Sequence, residues 1–344
     1  MTFDPAALYE EARTQEGAAQ SGHYNRNVRV ESEGGPVVIR MRTSGATAEP
    51  MDLTLWPEAE VLAAVNPYVP SAPRLLHASA APEFQIHAYI EGRRLDDVSP
   101  DGKPLPEYLP EALGAFFGQL LRVPARALPP VPADWPRDGD TRGFAERLLA
   151  LVGTIRHRGD AAVMGLYEAL GVPGDPCGLL RRRAADLARR PFRLLHADVH
   201  RKNLILTEGD RDRVAFLDWE LALWGDPVYD LADHLHKMAC TPGDRAAVTA
   251  AWLRAAPPEC VEGWREDLDY YLSYEAVKSA IVDTVRWGRR IVTAPTAAAR
   301  VALTRELAAK LEGAHSHWAP SRPAPPTPGD VDAAVRRCLE RPCR

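Results

Sequence analysis

The first hundred residues contain no lysine, and the whole chain of 344 residues has only five: Lys103, Lys202, Lys237, Lys278 and Lys310. Any cation that this first third brings to a site must therefore be arginine, a planar fork where lysine gives a point charge. Cysteine is also sparse. Cys177, Cys240, Cys260, Cys338 and Cys343 form no C-x-x-C pair. That argues against a zinc site or a disulfide framework and for reduced thiols. No apolar run is long enough to span a bilayer, and the acidic N-terminus lacks the apolar stretch of a signal peptide. Together these absences predict a cytoplasmic protein with no membrane partner. A basic excess is missing too: the formal net charge is −5 and the pI about 6.1, which argues against a nucleic-acid partner. The mild acidic excess suits a cationic substrate. No internal repeat is found, and nothing in the sequence fixes an oligomeric state.

What is present has the composition of a globular protein, with 46% hydrophobic and 26% charged residues in a length that fits two lobes. Residues 3–18 read as a short helix capped near Thr2 or Asp4. A turn-rich stretch, Ser21 to Asn27, leads to strand-like runs at 28–32 and 37–41 around the Gly34-Gly35-Pro36 turn. Residues 56–65 read as a helix, and 75–78 and 84–90 as strands. Helical patterns follow at 105–122, 142–156, 161–170, 179–189, 228–254, 262–288 and 295–312, with a last short helix at 331–339. Between them, residues 192–220 read as strand, polar loop, strand, polar turn and strand. The expected class is α+β. A small β lobe spans 1–92, a large α lobe 93–319, and a Pro-rich tail 320–344.

Chemistry concentrates in His196-Ala197-Asp198-Val199-His200-Arg201-Lys202-Asn203, with Asp218 fifteen residues further on. Apolar strand residues bound both loops. Carboxylates delivered by buried strands cost several kcal/mol unless compensated. Asn203 and Asp218 are hard oxygen ligands that suit Mg²⁺ shared with phosphate oxygens. Asp198 lies where a group must orient and accept the proton of an attacking hydroxyl. The phosphate cation from the small lobe must be an arginine or be missing, and Arg40 and Arg42, which share strand parity, are the candidates. An acidic partner for it is Glu58, which shares a helical face with Leu62 and Val65; Glu60 does not.

The strings H-A-D-V-H-R-K-N, F-L-D-W-E and G-D-P-V-Y-D-L-A, in this order, resemble the aminoglycoside phosphotransferase and choline kinase family, over about residues 20–290. The resemblance implies a protein-kinase-like fold of two lobes: a small antiparallel β N-lobe that binds nucleotide and a large, mostly helical C-lobe. It implies ATP or GTP as donor and Mg²⁺ as metal. Asp198 then falls at the catalytic base, His196 at a structural place in the catalytic loop, Asn203 and Asp218 at the metal ligands, and Asp230 at a brace for the loop backbone. Arg40 falls at the phosphate anchor and Glu58 at its ion-pair partner. His87 to Gly92, with Tyr89 and Ile90, resembles the hinge that reads the base. Gly22 to Asn27 departs from G-x-G-x-x-G, which leaves Ser21 and Asn25 as the nucleotide-side candidates there.

Substrate contacts are expected from His200, from Glu220 and from an acidic and aromatic stretch that includes Asp267, Tyr271, Glu275 and Asp283. Acidic side chains there would meet amines, and aromatics would cover a sugar or a quaternary ammonium. His200 serves either the substrate or the loop, and the acidic stretch is either a pocket or the charged face of an amphipathic helix. The expected function is phosphate transfer from ATP or GTP to a hydroxyl of an antibiotic, first an aminoglycoside, otherwise another sugar- or nucleoside-bearing one. The alternative is a metabolic kinase for choline, homoserine or a sugar. A protein kinase fits poorly, because only eleven residues separate Asp218 from Asp230 and A-P-E is absent. A binding module without catalysis would be expected to have lost Asp198, Asn203 or Asp218.

Overall fold

The computed structural model describes residues 3–15, 19–21, 25–42, 53–208, 214–319 and 323–340. The expected turn at Gly22 to Tyr24, most of the polar turn after Leu206 and the start of the Pro-rich tail lie outside the described residues. The first helix, α1 (Pro5–Thr14), is capped by Asp4, which accepts the Ala6 and Ala7 N–H groups, with Pro5 in its first turn.

A five-stranded antiparallel sheet follows, built from β1 (Ala19–Ser21), β2 (Asn25–Val30), β3 (Val37–Arg42) and, after the helix α2 (Glu58–Val65), β4 (Leu75–Ala80) and β5 (Glu83–Ala88). Its spatial order is β1-β2-β3-β5-β4. Val28, Val30, Val37, Ile39 and Met41 pack with Phe84 and Ile86 over Leu8 and Ala12 of α1, which gives this lobe its own small core. The register sets Arg40 opposite Asn27 on one side and Gln85 on the other. The helix α2 belongs elsewhere: Val61, Leu62 and Val65 join Trp56 and Val69 in the large core of the rest of the molecule.

The chain crosses to the helical part through β6 (Arg93–Arg94) and α3 (Leu95–Val98), two short elements that the sequence pattern does not announce. Gly92 precedes them at φ +155°, pressed so closely on Leu206 that a Cβ would meet its carbonyl. The expected helix from Leu105 starts later, as α4 (Leu109–Leu120), since Pro104 and Pro106 cannot donate and only Pro110 falls in a first turn. Asp140 and Asp160 cap α5 (Thr141–His157) and α6 (Ala161–Ala169), and α7 (Gly178–Arg183) ends in a 3-10 turn.

Four three-residue strands carry the polar loops: β7 (Arg193–Leu195), β8 (Leu204–Leu206), β9 (Val214–Phe216) and β10 (Leu223–Gly225). β6, β8 and β9 form one small sheet and β7 pairs with β10. The helical pattern at 228–254 is two helices, α8 (Pro227–Lys237) and α9 (Pro242–Ala255). Ala239 at φ +47° turns the chain, Thr241 caps α9 and Pro242 opens it. The long α10 (Trp264–Val292), α11 (Ala297–His315) and α12 (Pro328–Cys338) complete the chain. α12 is docked: Val331, Ala334 and Val335 enter the large core, and Arg300 pairs with Asp332 and Glu340 at 2.5 Å. Among the described residues no helix is long and apolar enough to cross a membrane.

Candidate active site

The loop after β7 is held from below. Asp230, in the first turn of α8, accepts the backbone N–H groups of His196 (3.0 Å) and Ala197 (2.8 Å). These two bonds sustain Ala197 at φ +57°, a conformation that costs a non-glycine residue about 1 kcal/mol or more. Burial pushes the Asp230 carboxyl up to about 7. His196 is buried between the rings of Phe116 and Trp219, at centroid distances of 5.9 and 4.7 Å, and burial lowers it to about 4, so it is neutral. Arg201 ties the loop to its surroundings. It is buried and donates to Met238 O (2.9 Å), Ser99 Oγ (2.7 Å) and Lys103 O (2.9 Å).

Asp198 lies at the head of this loop. Its Oδ2 accepts from Asn203 Nδ2 at 2.8 Å and faces His200 Nε2 at 3.6 Å; its Oδ1 accepts from Lys237 Nζ at 2.7 Å. Burial raises the Asp198 pKa, but Lys237 and His200 outweigh it, so the group sits well below the ordinary carboxylate range and stays anionic. His200 also accepts the Lys202 N–H through Nδ1, so part of its work is within the loop.

Asp218 follows β9 at φ +67°, and the neighbouring Leu217 N–H donates to Asn203 O at 2.8 Å, which fixes the two loops side by side. Arg40 reaches them from β3. Its guanidinium lies 2.7 Å from Glu58, 2.5 Å from Asp218 and 3.4 Å from Glu220. Glu58 uses its other oxygen to accept the Trp219 N–H at 3.0 Å. Arg42 is the outer of the two candidates: its side chain is 50% exposed, against 8% for Arg40, and it is 4.0 Å from Glu220. Glu220 accepts from Asn25 Nδ2 at 2.7 Å, which puts both residues on the Arg40 side of the cleft. Glu220, expected at the substrate, therefore stands beside Arg40 and Asn25 of the small sheet.

One guanidinium thus faces three carboxylates. Burial, then Asp218 and Glu58, push Glu220 up to about 7, and burial with Glu58 and Asp198 raises Asp218 against the pull of Arg40. The pocket holds more negative charge than its own cation neutralises. Among the described residues no group of three His, Cys, Asp or Glu side chains makes a complete metal cage. An oxygen set of Asn203 and Asp218, with Asp218 raised by burial and by the neighbouring carboxylates Glu58 and Asp198, fits Mg²⁺, which binds through one or two protein ligands and otherwise through phosphates and water.

Several expected site residues lie apart from this cluster. Asp267 pairs with Arg190 at 2.6 Å and accepts the Ala188 N–H at 3.0 Å, while the Tyr271 hydroxyl donates to Asp226 at 2.9 Å. Both belong to a buried ion network and present nothing to a substrate. Asp283 pairs with Lys310 at 2.8 Å, toward α11. Glu275 is buried and pairs with Lys278 at 2.8 Å. Asp267, Tyr271 and Asp283 are thus answered by partners outside α10, which the helical period alone does not reveal, whereas Lys278 answers Glu275 from the same helix. Ser21 closes β1, and its side chain lies outside the described residues. The Tyr89 N–H donates to Pro36 O at 3.3 Å and its ring lies under the Arg29 guanidinium at 4.6 Å; Ile90 follows it, half-buried. Two contributors escaped the sequence reading, Arg201 and Lys237. The second was visible in principle, since Asp230, Asp233 and Lys237 recur at i, i+3 and i+7 on one helical face.

Comparison with known proteins identifies the family. The profile of the phosphotransferase enzyme family, APH, matches residues 17–267. The chain belongs to that family, and with it to the phosphotransferases that take an alcohol group as acceptor. Solved structures share the kinase-like fold at low identity. A choline/ethanolamine kinase family protein from Mesorhizobium loti is 15% identical, with 96% of this chain and 99% of that one covered and a TM-score of 0.55. Choline kinase LicA from Streptococcus pneumoniae is 11% identical over 90% and 99%, with a TM-score of 0.55. Aminoglycoside phosphotransferase APH(4)-Ia is 17% identical over 96% and 97%, with a TM-score of 0.51. No curated protein matches the sequence.

Proposed function

We propose that this protein transfers the γ-phosphate of ATP or GTP to a hydroxyl of a small, sugar- or nucleoside-bearing antibiotic. Residues 1–92 supply most of the nucleotide side and 93–319 the acceptor side. The observation that carries the reading is the anionic Asp198, held within hydrogen-bond reach of Asn203 beside Asp218 and Arg40. Asn203 and Asp218 would hold Mg²⁺, whose charge neutralises phosphate oxygens when it is bound. Arg40 offers its guanidinium to the phosphates from the small lobe, kept in place by Glu58. Asp198 orients the acceptor hydroxyl and takes its proton. Positioning and charge neutralisation supply most of the rate.

Within the antibiotics, the pairing of Asp267, Glu275 and Asp283 with Arg190, Lys278 and Lys310 favours an acceptor with few positive charges over a polycationic aminoglycoside. The same pairing weighs against choline and ethanolamine. The test is nucleotide turnover with ATP and with GTP, across kanamycin, hygromycin B, erythromycin, choline, ethanolamine and homoserine. Turnover is expected with an antibiotic, abolished by EDTA, and lost in Asp198→Ala while ATP still binds. Near-wild-type turnover in Asp198→Ala refutes the assignment of the base. Turnover confined to choline or homoserine refutes the antibiotic reading.

A further inference from the structure

Lys237, at the end of α8, is surrounded by oxygens of its own chain. Its Nζ donates to Ala197 O at 3.0 Å and to Asp198 Oδ1 at 2.7 Å, and it lies 2.9 Å from Asp233 Oδ1. An ammonium carries three protons. Two of these go to Ala197 O and Asp198 Oδ1, and Asp233 is an ionic neighbour, so Lys237 is turned toward oxygens of its own chain. The Asp198 carboxylate is gripped at both oxygens, by Lys237 from α8 and by Asn203 from its own loop at 2.8 Å.

Lys237 is itself held. Asp233 lies 3.7 Å from Lys278, and Lys278 lies 2.8 Å from Glu275. The result is a row of alternating charge, Asp198, Lys237, Asp233, Lys278 and Glu275, that runs from the loop through α8 into α10. The Asp233 side chain is fully buried and that of Glu275 nearly so. A surface ion pair is loose because water competes for both partners, but charges so buried depend on their pairing.

We propose that Lys237 is a positioning residue: it fixes the Asp198 carboxylate in the orientation from which it meets the acceptor hydroxyl, and the charge row behind it fixes Lys237. This rests on the phosphotransfer reading above. It assigns a role to a residue of α8 beyond the G-D-P-V-Y-D-L-A string, and it gives the charged face of α10 a task other than binding substrate.

The test compares the wild type, Asp198→Asn, Lys237→Met and the double variant for Mg²⁺-ATP turnover, with water as acceptor and with any acceptor the panel yields. Lys237→Met is expected to lower kcat by about 10²-fold, the scale of a 1 Å misplacement, with the KM for ATP unchanged within about twofold. In the Asp198→Asn background it should cost nothing further, since its effect passes through Asp198. Equal losses in both backgrounds, or a raised KM with kcat intact, overturn the proposal. Lys237→Met leaves Asp233 facing Lys278 alone at 3.7 Å. Should that variant unfold, Lys237→Met/Asp233→Asn removes cation and anion together and serves in the same comparison. A crystal structure of either variant decides without turnover: an Asp198 carboxylate that has left Asn203 Nδ2 supports the role, and one still in place refutes it. Wild-type protein that binds ATP but transfers phosphate to nothing would sink the phosphotransfer reading and leave that structural comparison to judge Lys237.

Discussion

Replacing Asp226 with alanine removes the anion from an ion pair whose two side chains are wholly shielded from solvent. Arg190 donates from Nε to Oδ1 at 2.9 Å and from Nη2 to Oδ2 at 2.5 Å, a bidentate fork. The same carboxylate caps α8 through the Val228 N–H at 3.0 Å and accepts from the Tyr271 hydroxyl at 2.9 Å. Breaking a buried pair from one side typically costs about 3–5 kcal/mol, because the other charge is left behind. Arg190 keeps Asp267 at 2.6 Å and Glu262 O at 2.5 Å, which softens the loss. The missing cap and the stranded tyrosine hydroxyl add to it. Asp226→Ala should therefore lose about 4 kcal/mol, a Tm drop of roughly 5–6 °C in a chain of this length. Asp226→Asn, which retains the cap, should lose less. Guanidinium chloride unfolding followed by tryptophan fluorescence measures both. A loss under about 1 kcal/mol for Asp226→Ala, with an unchanged m-value, would refute the idea that this network anchors α8 to α10.

Two further outcomes follow from the cleft. Glu58→Gln removes the anion that holds Arg40 and weakens the acceptor for the Trp219 N–H, so the KM for ATP should rise by about tenfold or more with a smaller fall in kcat; an unchanged KM would separate Arg40 from nucleotide binding. Glu220 is pushed up to about 7 from an ordinary 4.5, so its folded-state carboxyl prefers the proton. Stability due to this group is full below pH 4.5 and is lost as the pH rises to about 7. Glu220→Gln should accordingly raise the Tm at pH 8 in EDTA, by an amount worth at most about 3 kcal/mol, and leave it unaltered at pH 4.5. Equal Tm changes at both pH values, measured by differential scanning fluorimetry, would contradict this.

The parts of the site that are local in the chain were legible. Asp198, Asn203, Asp218 and Asp230 sit at fixed spacings in polar loops between apolar strands, and such spacings survive without knowledge of tertiary contacts. Arg40 and Glu58 were reached from the periods of strand and helix, because burial of one face is a local property; the choice between Arg40 and Arg42 needed the depth of each in the cleft. Glu220 follows Asp218 by two residues, yet its side chain turns to Asn25 and Arg40, a contact with a strand almost two hundred residues earlier. The stretch in α10 misled for a related reason. Period shows that Glu275 and Asp283 share a face, with Lys278 beside Glu275, but not that Lys310 of α11 covers Asp283 or that Arg190 covers Asp267. Elements of two to four residues, β6, α3 and β10, are too short to carry a period at all.

Glu58 is one carboxylate with an oxygen on each side of the cleft, on Arg40 of the small sheet and on the Trp219 N–H, and it rides on a helix seated in the large core. Mechanically Glu58 is therefore a pin between the sheet and the large core, beside the contacts of Arg40 with Asp218 and of Asn25 with Glu220. Separating the sheet from the large core must stretch the 2.7 Å contact of Arg40 with Glu58. The helix also decides where the chain tolerates a cut. A fragment ended at residue 92 would carry Trp56, Val61, Leu62, Val65 and Val69 with nothing to cover them, and should aggregate where the intact chain folds.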